Sequence, residues 1–236
     1  MSSKANPLET ENLQREVAIV TTTIVPKNTD QKSEVELQPK LANIAEIQPE
    51  SEPKKVISLE DFLVRPRDKM EWVDGNLIEK TGMTFKHGLA QVNLATDWRN
   101  YKNSSGQGGE VITEILCYTH KNGLRPDVAY ITPELLPPSG NFTAFPQSFP
   151  LIAEIASPED SGEELFAKAR EYLASGCLEV WLLFPEARLI FVNVGERWLL
   201  FNADEVVNTQ KVLAGFSVAV NELLAEKTCH KCHLMK

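Results

Sequence analysis

Between residues 58 and 225 apolar and polar positions alternate in short bursts, and the period changes from burst to burst. Ser58-Leu59-Glu60-Asp61 opens a helix with Ser58 as its N-cap, and Arg65-Pro66 ends it. Met70-Glu71-Trp72-Val73, Asp74-Gly75 and Asn76-Leu77-Ile78-Glu79 form the pattern of a β-hairpin. Leu89, Val92, Ala95 and Trp98 share one helical face, which predicts a helix over 87–101. Glycines at 106, 108 and 109 break the chain. Strands are expected over 111–119 and 128–131, with a turn at 121–123 between them, and a long Pro- and Phe-rich loop over 133–150. A strand over 151–156 leads to Ser161-Gly162-Glu163-Glu164, a capping box that starts a helix running to about 175, with Gly176 at C′. Three strands follow, over 179–184, 189–194 and 198–201, and then a short helix over 217–225. Strands interleaved with helices predict an α/β domain with a mixed central β-sheet flanked by helices.

Composition sets the boundaries of that domain. Residues 1–55 contain no Phe, Trp or Tyr and are rich in Glu, Lys, Thr, Gln and Pro, which predicts a flexible tail with one β-prone patch at 17–25. The folded domain is expected over 56–225 and a second tail over 226–236. The chain's 236 residues and 42% hydrophobic content suffice for one sizeable core. No apolar run reaches the length of a membrane span, and the N-terminus lacks a secretory pattern. Four scattered cysteines form no disulfide framework, so a cytoplasmic protein is expected. Cys229-His230-Lys231-Cys232-His233 fits C-x-x-C-H, but haem attachment needs export. Ligands packed into five residues also suit a zinc site poorly, so this stretch is read as a tail.

Asp127, in Arg125-Pro126-Asp127-Val128, and Glu154, in Leu151-Ile152-Ala153-Glu154-Ile155, sit inside apolar runs. A carboxylate there loses hydration and needs donors, a cation or a metal ion. Lys168 lies on the following helix. Taken singly, each has a plainer reading: Asp127 as a turn residue, Glu154 on an edge strand, Lys168 as a solvated helix lysine, Glu71 as a hairpin surface charge.

Five segments in this order and spacing resemble the Uma-type restriction-endonuclease-like family of the PD-(D/E)XK nuclease superfamily. They are Glu71-Trp72-Val73-Asp74-Gly75, Arg125-Pro126-Asp127-Val128, Glu154-Ile155-Ala156-Ser157-Pro158, Lys168 with Tyr172 and Gly176, and Val180-Trp181-Leu182. The resemblance covers about 58–225 and implies a restriction-endonuclease-like core. In the wider superfamily the lysine stands two residues after the glutamate; here that place is Ala156, and Lys168 matches the helical position from which this family supplies it. The resemblance implies Asp127, Glu154, Lys168 and Glu71 as catalytic groups and DNA phosphodiesters as substrate. Asp127 and Glu154 would hold Mg²⁺ or Mn²⁺, for which carboxylates are suitable hard ligands. The chain departs from the family at Phe184-Pro185, where Asp-Pro is usual.

A net charge of −9 argues against a protein that coats nucleic acid by charge alone, and keeps a second reading open: a nuclease fold serving as a silent binding or regulatory module. Phe142, Phe145 and Phe149 are candidates to line a substrate cleft or a homodimer contact. Trp98, Tyr101, Trp181 and Trp198 are expected as core or edge aromatics.

Overall fold

A computed structural model describes residues 57–80 and 83–224. The N-terminal tail, the patch at 17–25 and the Cys-His cluster at 229–233 lie outside the described residues. In chain order the elements are α1 (Leu59–Val64), β1 (Met70–Val73), β2 (Asn76–Glu79), α2 (Phe85–Ser105), β3 (Glu110–Ile112), β4 (Leu116–Tyr118), β5 (Gly123–Leu124), β6 (Val128–Ile131), β7 (Ala144–Phe145), β8 (Leu151–Ile155), α3 (Gly162–Ala174), β9 (Glu179–Phe184), β10 (Leu189–Val194), β11 (Arg197–Phe201), β12 (Val206–Asn208), β13 (Ser217–Ala219) and α4 (Val220–Leu224).

A six-stranded sheet ordered β11-β10-β9-β8-β6-β3 forms the centre. Only β8 and β9 run parallel within it, joined by α3 as a βαβ crossover. A five-stranded sheet ordered β2-β1-β5-β4-β7 and the β12-β13 pair account for the other strands of the described residues. Alternation along the central strands sorts their side chains into two cores. Val128, Tyr130, Leu151, Ala153 and Ile155 pack with Leu94 and Trp98 of α2 and Val220 and Leu223 of α4. Ala129, Ile131, Ile152, Val180 and Leu182 pack instead with Leu165, Ala169 and Tyr172 of α3 and with Cys117, Leu124 and Phe145 of the smaller sheet. Glu154, one residue past Ala153, belongs on this second face.

The local signals at 58, 70–79 and 161–176 work as expected. Ser58 Oγ accepts from Asp61 N–H and Ser161 Oγ from Glu164 N–H, and Gly176 has φ 104°. Three expectations are corrected. The run 111–119 is two strands in different sheets, because Glu114 takes φ 57° and turns the chain between them. The segment 217–225 is a strand that pairs with β12 before one short helix. The buried stripe of α2 is His87, Ala90, Leu94, Trp98 and Lys102, while Val92 is exposed. The spacing 89-92-95 follows the flank of the helix, and a single Trp is compatible with either stripe.

The aromatic residues mostly stay inside. Trp98 and Trp181 are fully buried and meet edge to face at 5.7 Å. Phe145 and Phe149 stack at 4.7 Å in the second core, with Phe142 tilted against Phe145 at 5.3 Å, so the long loop closes over the core with these rings. Phe184 leans edge-on against Phe191 at 5.7 Å at the sheet end. The loop also contributes β7, which pairs in parallel with β4. Among the described residues no helix is long and apolar enough to cross a membrane. Cys117 and Cys177 are buried free thiols.

Candidate active site

Asp127 immediately precedes β6, and Glu154 is the fourth residue of β8. The antiparallel register Val128↔Ala153 carried one residue further sets the two acids opposite each other, which turns both side chains to the face covered by α3. Both acids are almost fully buried. Asp127 Oδ2 accepts from the Ile155 backbone N–H at 2.7 Å, so the Asp127 carboxylate is fixed to the strand that carries Glu154. The phenol of Tyr172, on α3, donates to Glu154 Oε1 at 2.6 Å.

Glu71 joins them from the hairpin. Its Oε1 accepts from the Arg125 backbone N–H at 2.8 Å, two residues before Asp127, and its Oε2 takes the Lys168 ammonium at 2.8 Å. Thus Lys168 does reach inward, but its ion-pair partner is Glu71, and it acts on Glu154 through charge. The Arg125 guanidinium is structural: it donates to the carbonyls of Met70, Glu114 and Arg67 and ties hairpin to strand.

The counter-charge on Asp127 is a residue that sequence reasoning missed. Lys80 Nζ lies 2.8 Å from Asp127 Oδ1 and 3.1 Å from Glu114 Oε2, and donates to the Arg125 carbonyl at 2.8 Å. Gln91 of α2 donates to Glu114 Oε1 and to the Asp127 carbonyl, both at 3.0 Å. His87 Nδ1 shares a hydrogen bond with Ser157 Oγ at 3.1 Å. Its Nε2 is buried 3.5 Å from Asp127 Oδ1 without a hydrogen bond, so the two interact by charge. The place of His87 beside Asp127 has no signal in the sequence.

These neighbours shift the acids in opposite directions. Burial disfavours the Asp127 carboxylate, but Lys80 and His87 outweigh it and hold the group well below the usual range. Burial also disfavours ionised Glu154, and the nearby carboxylates of Asp127 and Glu71 add to this against the pull of Lys168 and Lys80, which leaves Glu154 pushed up to about 7. Burial opposes charge on Lys80 and Lys168 as well, yet the surrounding carboxylates raise both. Burial lowers the proton affinity of His87, and Asp127 more than reverses it.

Four carboxylates, Glu71, Glu114, Asp127 and Glu154, therefore face two ammonium groups, Lys80 and Lys168. That excess of hard oxygen donors in a buried pocket fits a divalent cation. Among the described residues no three His, Cys, Asp or Glu side chains already converge on one point. Such a set would suit only an ion that keeps several of its own waters, rather than one wrapped by protein ligands.

Residues 58–221 match the Uma2 family, described as "Putative restriction endonuclease". The chain belongs to the Uma2 family. A crystal structure of a "putative nuclease belonging to DUF820" from Anabaena variabilis ATCC 29413 superimposes with a TM-score of 0.65 at 20% identity, over 71% of this chain and 97% of that one. The shared fold is the restriction-endonuclease-like core expected from the sequence. No curated protein matches the chain. Within this Uma2 protein, little in the sequence singles out Lys80 or Glu114. Lys80 follows a hairpin like any surface lysine, and Glu114 reaches the site only because the chain turns there at positive φ.

Proposed function

We propose that this Uma2 protein is a Mg²⁺- or Mn²⁺-dependent endonuclease acting on DNA. The observation that carries the proposal is the pairing of Asp127 and Glu154 across neighbouring strands on one face, with Lys168 entering the same pocket through Glu71. Asp127 and Glu154 would hold the metal, with Glu71 a further ligand directly or through water. When bound, the ion would supply an activated water and polarise the scissile phosphate.

The protein's own groups prepare that arrangement. The Ile155 N–H orients Asp127, and the Tyr172 hydroxyl orients Glu154. The Arg125 N–H leaves one Glu71 oxygen free to hold Lys168. Lys168, at the partly open edge of the cluster, can orient a water or offset charge on a phosphate as it develops. A net charge of −9 predicts weak substrate binding, because the chain as a whole repels a polyanion.

A second reading is a nuclease fold that binds DNA without cutting it. The observation in its favour is that Lys80 already satisfies the Asp127 oxygen that a metal would use. The deciding experiment is plasmid cleavage by purified protein at low salt with Mg²⁺ or Mn²⁺, against a chelator control. Cutting that disappears in Asp127→Asn and Glu154→Gln supports the nuclease. Equal cutting by wild type and Asp127→Asn identifies a contaminant, and metal-independent binding without cutting supports the silent module.

A further inference from the structure

We propose that Lys80 is a tethered cation seated at the Asp127 oxygen that the divalent ion would use, so that metal binding is an exchange of Lys80 for the ion. The inference rests on the metal-site reading above and concerns how that site is filled. Asp127 Oδ2 is already committed to the Ile155 N–H, which leaves Oδ1 as the oxygen facing the pocket. Lys80 Nζ sits on Oδ1 at 2.8 Å. Its other two acceptors are the Arg125 carbonyl at 2.8 Å and Glu114 Oε2 at 3.1 Å, so each of its three protons has a partner.

An ammonium and a divalent ion on the same carboxylate oxygen would repel each other at close range in a site that screens charge poorly. One must yield, and the structure provides a place for Lys80 to go. The root of Lys80 is pinned, because its backbone N–H donates to the Lys69 carbonyl at 2.7 Å. On leaving Oδ1 its side chain keeps the Arg125 carbonyl and Glu114. Glu114 is held from its other oxygen by Gln91, and its side chain is 35% exposed, against 2% for Asp127. A small swing toward Glu114 therefore carries Lys80 outward without losing its ion pair. Before metal arrives, Lys80 keeps the clustered carboxylates from repelling one another. Afterwards it no longer opposes the ion.

The test is Mn²⁺ affinity of the full chain, measured by calorimetry at fixed pH and ionic strength, together with the rise in Tm that Mn²⁺ produces. Lys80→Met keeps most of the unbranched side chain and removes the ammonium group; it should bind Mn²⁺ at least about tenfold more tightly and show a larger Mn²⁺-induced rise in Tm. Lys80→Arg keeps a cation there and should bind no more tightly than wild type. Lys168→Met removes the same charge from the Glu71 end and should tighten binding much less. The inference is overturned if folded Lys80→Met binds as wild type or more weakly, if Lys80→Arg tightens binding, or if Lys168→Met matches Lys80→Met. Asp127→Asn separates the two levels of argument. Loss of Mn²⁺ binding in Asp127→Asn with no gain in Lys80→Met refutes the exchange alone. Undiminished binding in Asp127→Asn refutes the metal site and the exchange with it.

Discussion

Glu154 and Glu179 are both buried glutamates on adjacent parallel strands of the central sheet, and they are treated in opposite ways. Glu179, at the start of β9, meets fixed neutral donors. Its Oε1 accepts from the Trp181 indole at 2.7 Å, and its Oε2 accepts from the backbone N–H groups of Gln210, Lys211 and Val212 at 2.9, 2.8 and 3.3 Å. These donors replace water and pin the 210–212 turn to the sheet. Glu154, near the end of β8, receives one phenol and otherwise shares its pocket with Lys168, Lys80 and two further carboxylates. Burial of an acid therefore does not mark a functional site. What marks it is the kind of partner: charged side chains around Glu154, backbone amides and an indole around Glu179.

The largest expected effect tests that contrast directly. Asp127→Asn and Glu154→Gln should each reduce metal-dependent cleavage by about a thousandfold or more, since each keeps shape and removes a ligand charge. Glu179→Gln should cut normally per folded molecule but lose about 2–3 kcal/mol of stability in urea melts, because an amide cannot accept from three backbone donors and the indole together. A Glu179→Gln chain of normal stability that fails to cut DNA would break the comparison.

Next in size is Lys168→Ala, expected to lower kcat by about a hundredfold while Mn²⁺ affinity changes only a few-fold. Lys168 pairs with Glu71 rather than with either proposed ligand, so its removal should act on the reaction step. A large loss of metal affinity with an intact kcat would instead make the Glu71–Lys168 pair part of the metal's support.

Stability against pH, measured in chelator, sharpens the comparison further. Glu154 in the folded chain titrates near 7, above its unfolded value, so the folded state binds its proton more tightly. That contribution is fully present below about pH 4.5 and is lost as pH rises to about 7, with a slope of up to about 1.4 kcal/mol per unit. Asp127 is shifted the other way, so its contribution holds above the ordinary aspartate range and is lost on further acidification. Glu154→Gln should reduce the slope of the upper window, to which Glu114, also raised by burial, still contributes, and leave the acid limb in place. A wild-type curve already flat between pH 4.5 and 7 would mean that Glu154 is ionised throughout.

Much of this frame is legible in the sequence because it depends on local rules. The Asp74-Gly75 hairpin, the capping box at Ser161 and the alternation in 151–155 each specify their own geometry within a few residues. Alternation also suffices to place Asp127 and Glu154 on one face once their strands pair. The remainder depends on contacts between distant parts of the chain. Lys80 meets Asp127 across 47 residues and Glu114 across 34, and Glu71 meets the Arg125 amide across 54. No period or motif in one sequence encodes such meetings. The broken run at 111–119 fails for a related reason: its apolar residues serve two sheets, and the turn between them is made by a non-glycine residue at positive φ.

The smallest expected effect comes from Tyr172→Phe, which removes one oxygen and keeps the ring packed in the second core. The phenol donates to Glu154 Oε1 at 2.6 Å, and a donor to a carboxylate favours its charged form. Without it the Glu154 pKa should rise above its present value of about 7. Metal must compete with that proton, so Mn²⁺ affinity in the variant should reach its plateau at a pH higher by about half a unit, with about 1 kcal/mol of stability lost. The plateau affinity itself should stay close to wild type, because the carboxylate remains in place. If the pH dependence does not move, the phenol does not set the Glu154 equilibrium, and Glu154 would owe its ionisation behaviour to burial and the neighbouring charges.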